Sequence, residues 1–192
     1  MVKLRKGISY RRLERPYTRY SKFQKLNFVR ARPVNKVIAF VMGDPKKTYD
    51  YTMHLCSKTN IQLRDNSIEA ARQSSNRTLE KKLGKGMYHF VTRLYPHHIL
   101  RENPLASGAG ADRMSTGMAR SFGKPIGRAA RVYAGQQLFT LQIKKKDIAV
   151  GRLSLKRAGY KLACGTTIEI GPYTGPLLDP RPGQQDKLKV EK

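Results

Sequence analysis

The sequence predicts an α+β domain with two main helices, preceded by an extended basic arm. Three observations lead there: two stretches with apolar residues at helical spacing, several short β-rich runs punctuated by Gly and Pro, and a first segment in which bases far outnumber acids. The whole chain of 192 residues carries 39 Lys and Arg against 13 Asp and Glu, a formal charge of +26 with a pI near 10.5. Such a charge repels itself in a compact state and becomes useful when a polyanion supplies the counter-charge. This excludes an ordinary metabolic enzyme as the default and puts nucleic acid ahead of an anionic membrane surface. With 39% hydrophobic residues the chain can still bury one real core, so it is not merely a basic tail.

Residues 1–36 hold twelve Lys or Arg and one acid, Glu14. Tyr10, Tyr17, Tyr20, Phe23 and Phe28 are interleaved with those bases without a steady period, which suits an extended segment on RNA, where guanidinium and aromatic faces stack on bases. Arg11, Arg12, Arg15, Tyr17, Arg19, Arg30 and Arg32 are the expected RNA contacts of this arm.

From residue 37 the pattern changes to strands and turns. A strand is expected over 37–42, stopping at Gly43-Asp44-Pro45, followed by short strands at 51–56 and 61–64. Asp65, Asn66 and Ser67 offer N-caps, and Ile68, Ala71, Arg72, Ser75, Leu79 and Leu83 recur at spacings of three or four up to Gly84. This predicts a helix over 67–83 with Ile68, Ala71 and Leu79 inward and Arg72 and Arg77 toward its flanks or RNA. In 87–94, Tyr88, Phe90, Thr92 and Leu94 share one face while His89 and Arg93 share the other, the pattern of a half-buried strand whose His89 and Arg93 meet phosphate or solvent. Tyr95-Pro96-His97-His98 breaks it, and 99–101 resumes it briefly.

Residues 103–111, with Pro104, two glycines and three alanines, can bury almost no apolar area. A short helix capped by Asp112 follows, then glycines at 117, 123 and 127, and two strands over 129–133 and 137–143 read as a hairpin through Ala134-Gly135. Lys146-Asp147 opens a second helix with Ile148, Leu155 and Ala158 inward and Gly159 at its end, and 166–170 supplies the last strand. The organisation expected is an arm over 1–36, a single domain over 37–170 and a Pro-rich tail over 171–192.

No constellation recommends a catalytic centre. Gly117 and Gly123 enclose five residues where a phosphate-binding loop needs four, and Pro125 follows Lys124 where that loop needs a hydroxyl. Cys56 and Cys164 form neither a disulfide framework nor a zinc motif, and adjacent His97 and His98 would point to opposite strand faces. His54 and Cys56 share a strand face and read as a core His beside an inert thiol. The acids are scattered singly, so no acid–base pair stands out. No metal or cofactor is expected. The longest clean apolar run, 37–42, falls far short of the roughly 20 residues a membrane span needs, and no signal peptide is expected.

The informative cluster is the small-residue loop 103–111, with Asn103, Ser107, Gly108, Ala109, Gly110 and Ala111, flanked by Arg101, Arg113, Arg120, Lys124, Arg128 and Arg131. Gly and Ala let a main chain approach a nucleic-acid backbone closely, while guanidinium forks bind phosphates and hold the loop's two roots.

Particular motifs carry a family resemblance. They are Arg15-Pro16-Tyr17-Thr18-Arg19, Ile68-Glu69-Ala70-Ala71-Arg72, the run from residue 88 to 98, Ser107-Gly108-Ala109-Gly110-Ala111-Asp112-Arg113-Met114, Gly117-Met118, Phe122-Gly123-Lys124-Pro125 and the segment 129–136. In this order, over about residues 10–170, the chain resembles the universal large-subunit ribosomal protein sixteen family in its archaeal and eukaryotic branch, also called ten-e. The resemblance implies a hammerhead-type mixed sheet with two main helices and no enzymatic activity. It also implies a cytoplasmic place in the large subunit, on rRNA below the central protuberance and beside the aminoacyl-tRNA site. Loop 103–111 would then point toward the peptidyl-transferase centre and tRNA. The partners implied are large-subunit rRNA, 5S rRNA, tRNA and neighbouring ribosomal proteins, with no membrane and no homo-oligomer. The alternative class is a stand-alone basic RNA-binding or RNA-modifying protein.

Overall fold

The computed structural model describes residues 5–10, 12–13, 21, 23–27, 31, 33–105, 108, 110, 113, 115, 117–119, 121–173 and 175. Its elements are β1 (Val41–Gly43), β2 (Tyr51–Ser57), β3 (Ile61–Arg64), α1 (Asp65–Leu83), β4 (His89–Thr92), β5 (His98–Glu102), β6 (Lys124–Val132), β7 (Gln137–Ile143), α2 (Ile148–Gly159) and β8 (Thr166–Pro172). The strands form a five-stranded sheet in the order β1-β4-β7-β2-β8 and a three-stranded sheet in the order β3-β6-β5. The α+β class and the two helices agree with the sequence reading. Every described strand pair is antiparallel, however, so there are two antiparallel sheets where one mixed sheet was expected.

The core lies under the two helices. Met53, Leu55, Phe90, Phe139, Leu141 and Ile143 from the larger sheet are fully buried with Ile68, Ala71 and Leu79 of α1 and Leu155 and Ala158 of α2. The expected inward face of α1 is therefore correct. Phe90 and Phe139 stack at 5.4 Å between centroids. Gly151 lets α2 sit close on the sheet, since a Cβ there would lie 2.6 Å from Ile143 Cδ1 and 2.8 Å from Met53 Sδ. Between the helices, the buried Ser75 and Ser154 hydroxyls meet at 2.5 Å, so these two polar groups satisfy each other inside the core.

Four local expectations change. The strand expected over 37–42 shrinks to Val41–Gly43, because carboxylates of α1 take the amides before it: Lys36 N donates to Asp65 Oδ2 and Ile38 N to Glu69 Oε2, each at 3.4 Å. The helix starts at Asp65 with Arg64 in the capping position and no side-chain cap; Asp65 instead accepts from the amides of Asn66 and Lys36. The strands expected at 129–133 and 137–143 do form, but in different sheets, so they are no hairpin. The turn between them is tied to β2, with Gly135 N donating to Ser57 O at 2.8 Å, and this carries the chain across from one sheet to the other. Finally, β4 is buried along all four of its residues and paired on both edges, by β1 and β7. His89, expected to meet phosphate or solvent, is 2% exposed, with Nδ1 2.8 Å from Gln142 Oε1.

Candidate nucleic-acid interface

β5 and β6 make a ribbon whose tip is the loop that the sequence singled out. The last paired residues are Glu102 and Lys124, so everything between them leaves from one closed root. Three contacts tie that root from within. The Arg101 guanidinium lies over the Phe122 ring, 3.7 Å from its centroid, and donates to Phe122 O. Asn103 Nδ2 donates to Gly117 O at 3.2 Å. Gly123 has φ +80, and a Cβ there would lie 2.9 Å from the Glu102 carbonyl carbon, so the close approach of the two chains requires glycine. Sequence reasoning placed Arg101 at the root but missed Phe122 as its platform, because neither charge nor periodicity marks a partner 21 residues away.

β6 begins at Lys124, well before the strand expected from 129. Pro125 is tolerated because β3 pairs only with 129–132, leaving the first half of β6 with a single neighbour, and the register shifts beside Arg101.

The cations flanking the loop do not form one set. Cross-strand partners share a sheet face, and the register divides them. Arg101, Ile99, Arg128 and Pro125 fall on the face that continues into buried Leu63, Ala130 and Val132, whereas His98, Glu102, Lys124, Gln62 and Arg131 fall on the other. On the first face Arg128 Nη1 reaches the hydroxyl of Tyr95 at 3.4 Å, and Tyr95 stacks on Phe40. The second face receives the N-terminal segment: Gln62 Nε2 donates to the Arg12 carbonyl at 3.0 Å, and Arg5 pairs with Glu102. His98 lies on this face with its pKa lowered, first by burial and then by the cations of Arg131, His97 and Arg101.

Arg93 stands apart, at the end of β4. Its Nε donates to Thr140 Oγ1 at 3.1 Å, and burial lowers its pKa. His54 Nδ1 lies 3.0 Å from the same hydroxyl. One arrangement serves all three groups: Thr140 accepts from Arg93 and donates to a neutral His54. The His54 pKa is lowered accordingly, chiefly by burial and then by Arg93, with Glu169 partly opposing. On the same strand, burial first and then a hydrogen bond with Glu169 push the Cys56 thiol up to about 11, which leaves it protonated and inert. The expected inert thiol agrees with this geometry, whereas the expected core His is hydrogen-bonded but only half-buried.

Of the residues expected to contact RNA, Arg113 is exposed and Lys124 is exposed at the root. Arg11, Arg15, Tyr17, Arg19, Arg30, Arg32, Arg120, Ser107, Ala109 and Ala111 lie outside the described residues, as does most of the helix expected after Asp112. Among the described residues no group of three or more His, Cys, Asp or Glu is arranged to hold a metal, and no helix is long and apolar enough to cross a membrane.

A strongly basic α+β scaffold that presents guanidinium groups on both faces of a small sheet, around a loop tied at its root, defines a protein that packs against a polyanion. The particular family follows from comparison: the ribosomal protein L16p/L10e family matches residues 15–169, and the chain belongs to it. This is a family of structural components, not of enzymes. The chain is 38% identical over 161 residues to a protein of Archaeoglobus fulgidus named large ribosomal subunit protein uL16, covering 84% of this chain and 89% of the relative. It is 40% identical to the protein of that name from Methanococcus aeolicus, over 88% and 94% of the two chains, and 44% identical to that of Nanoarchaeum equitans, over 77% and 84%.

Proposed function

We propose that this protein is a structural constituent of the large ribosomal subunit in the cytoplasm, bound to rRNA near the central protuberance and the aminoacyl-tRNA site. Loop 103–111 approaches the peptidyl-transferase centre and tRNA, and the protein supports translation and subunit assembly. The arm 1–36 and the cations around the loop take the rRNA backbone, with 5S rRNA, tRNA and neighbouring ribosomal proteins as further partners. The domain 37–170 is the rigid body between arm and tail. Membership of a ribosomal family across residues 15–169 carries this reading. The tied root supports the finer part: Arg101 stacked on Phe122 and the tight Gly123 crossing fix the direction in which an apolar-poor loop leaves the body.

The test is to rebuild large subunits with protein lacking residues 104–111. Retention on the subunit should stay normal while tRNA accommodation or peptide-bond formation falls. Normal values for both would make the loop a passive connection, and loss of retention would make it an anchor instead.

A further inference from the structure

On the flank of α1 away from the loop, a groove of about 760 Å³ runs over Ala70 and Ser74 and is edged by Arg77, Lys81, Lys82 and, from α2, Arg157. All four cations are exposed. Helical spacing stacks Gln73, Arg77 and Lys81 in one row at intervals of four, so the cations line a single wall. Arg157 crosses from the other helix, and its Nη1 donates to Thr78 Oγ1 at 3.0 Å, which holds the guanidinium at the groove's lip.

The helix treats its bases in two ways. Arg72 is neutralised within the fold, its Nη2 2.6 Å from Glu69 Oε1. Arg77, Lys81, Lys82 and Arg157 make no ion pair among the described residues, and the Glu80 carboxylate accepts from Asn76 instead. Lys81 and Lys82 complement the partial negative charge at the C-terminus of α1. That effect fades within the last turn, so it does not account for Arg77, six residues before Leu83. Arg77 and Lys81 at i,i+4 repel each other, and an anion in the groove would relieve that repulsion. The thin floor of Ala70 and Ser74 lets a backbone lie close, and the Gln73 amide adds a neutral donor.

We propose that this groove binds the phosphate backbone of large-subunit rRNA, as an RNA contact separate from the loop, with Arg77, Lys81 and Arg157 pairing with phosphate oxygens. The proposal rests on the reading that the protein sits on rRNA, and adds where α1 and α2 meet it.

The experiment uses the full-length protein and large-subunit rRNA transcribed in vitro, with no other protein present. The variant Arg77→Ala/Lys81→Ala/Arg157→Ala is compared with Lys144→Ala/Lys145→Ala/Lys146→Ala, which removes the same charge from an exposed turn elsewhere. At roughly −0.7 in log-log salt slope per phosphate contact, the groove variant should lose about 2 from the slope and the control much less. Equal losses would make overall charge responsible and overturn the proposal. Independently of any variant, Lys81 and Lys82 of the wild-type protein should become protected from acetylation when rRNA is added, while Lys145 stays reactive. If the two lysines remain reactive on bound rRNA, or become protected only in complete subunits, the groove is not an RNA site. Failure of the wild type to bind rRNA at all would instead sink the ribosomal reading itself.

Discussion

The two sheets of this protein are built from different materials. In the five-stranded sheet, β7 is buried along six of its seven residues and its Phe139 stacks on Phe90. The three-stranded sheet places Pro125, Gly127, Arg128 and Arg131 in its central strand, and beyond its tip Leu105, Met118 and Phe122 stand more than half exposed. The larger sheet buries apolar area and carries stability. The smaller one joins the same core at one end only, through Ile61, Leu63, Ala130 and Val132, and holds charge in position toward its tip. A ribosomal protein needs both, because guanidinium groups held near one another repel, and only a stable body withstands that repulsion until RNA neutralises them.

The largest test of this contrast lies under the larger sheet. Ala71→Asp would bury a carboxylate at a fully buried site, costing several kcal/mol against a total stability of roughly 5–15 kcal/mol, and should abolish the folded state. Circular dichroism and a thermal melt check this, and a wild-type melt would mean that α1 does not seat there.

Next comes a pair of deletions of similar size in the two sheets. Phe139→Ala should cost about 3–5 kcal/mol by leaving a cavity, with the salt dependence of rRNA binding unchanged in the folded protein. Arg101→Ala should cost no more than about 1 kcal/mol, the scale of a half-exposed cation–π contact, yet impair tRNA handling on rebuilt subunits. Arg101→Lys sharpens the point: it keeps the charge but not the planar face over Phe122, so recovery with Lys would assign the effect to charge alone. Equal stability losses at 101 and 139 would break the comparison.

The smallest effect is one of pH. Burial first and then the Arg93 cation keep the folded-state pKa of His54 below the ordinary value of about 6.5, with Glu169 partly opposing. Below that value the unfolded chain takes up a proton that the folded chain resists. The contribution is therefore complete above about pH 6.5 and is lost as the pH falls toward the folded-state pKa. The melting temperature should drop as the pH is lowered from 7 to 5.5, and His54→Gln should show a shallower drop. An unchanged slope in that variant would place the acid sensitivity elsewhere, with His98 the next group to substitute.

What the sequence determined by itself is what depends on neighbours a few residues apart. The helix ending at Gly84, the inward set of Ile68, Ala71 and Leu79, the strand Ile61–Arg64 and the polyanion-seeking charge are all of this kind, since 3.6- and 2-residue periods and net charge are local properties. The family motifs were equally legible, being short ordered strings. Tertiary structure decided what depends on which distant strands pair. It put β6 and β7 in separate sheets where a tight turn suggested a hairpin, and closed β4 over His89. It also moved Lys124 to the face opposite Arg101 and Arg128, because one bulge beside Arg101 resets which side chains share a face. The Phe122 platform and the Arg157 lip of the α1 groove belong to the same class. Each joins residues brought together only by packing, and packing energy leaves no period in the sequence.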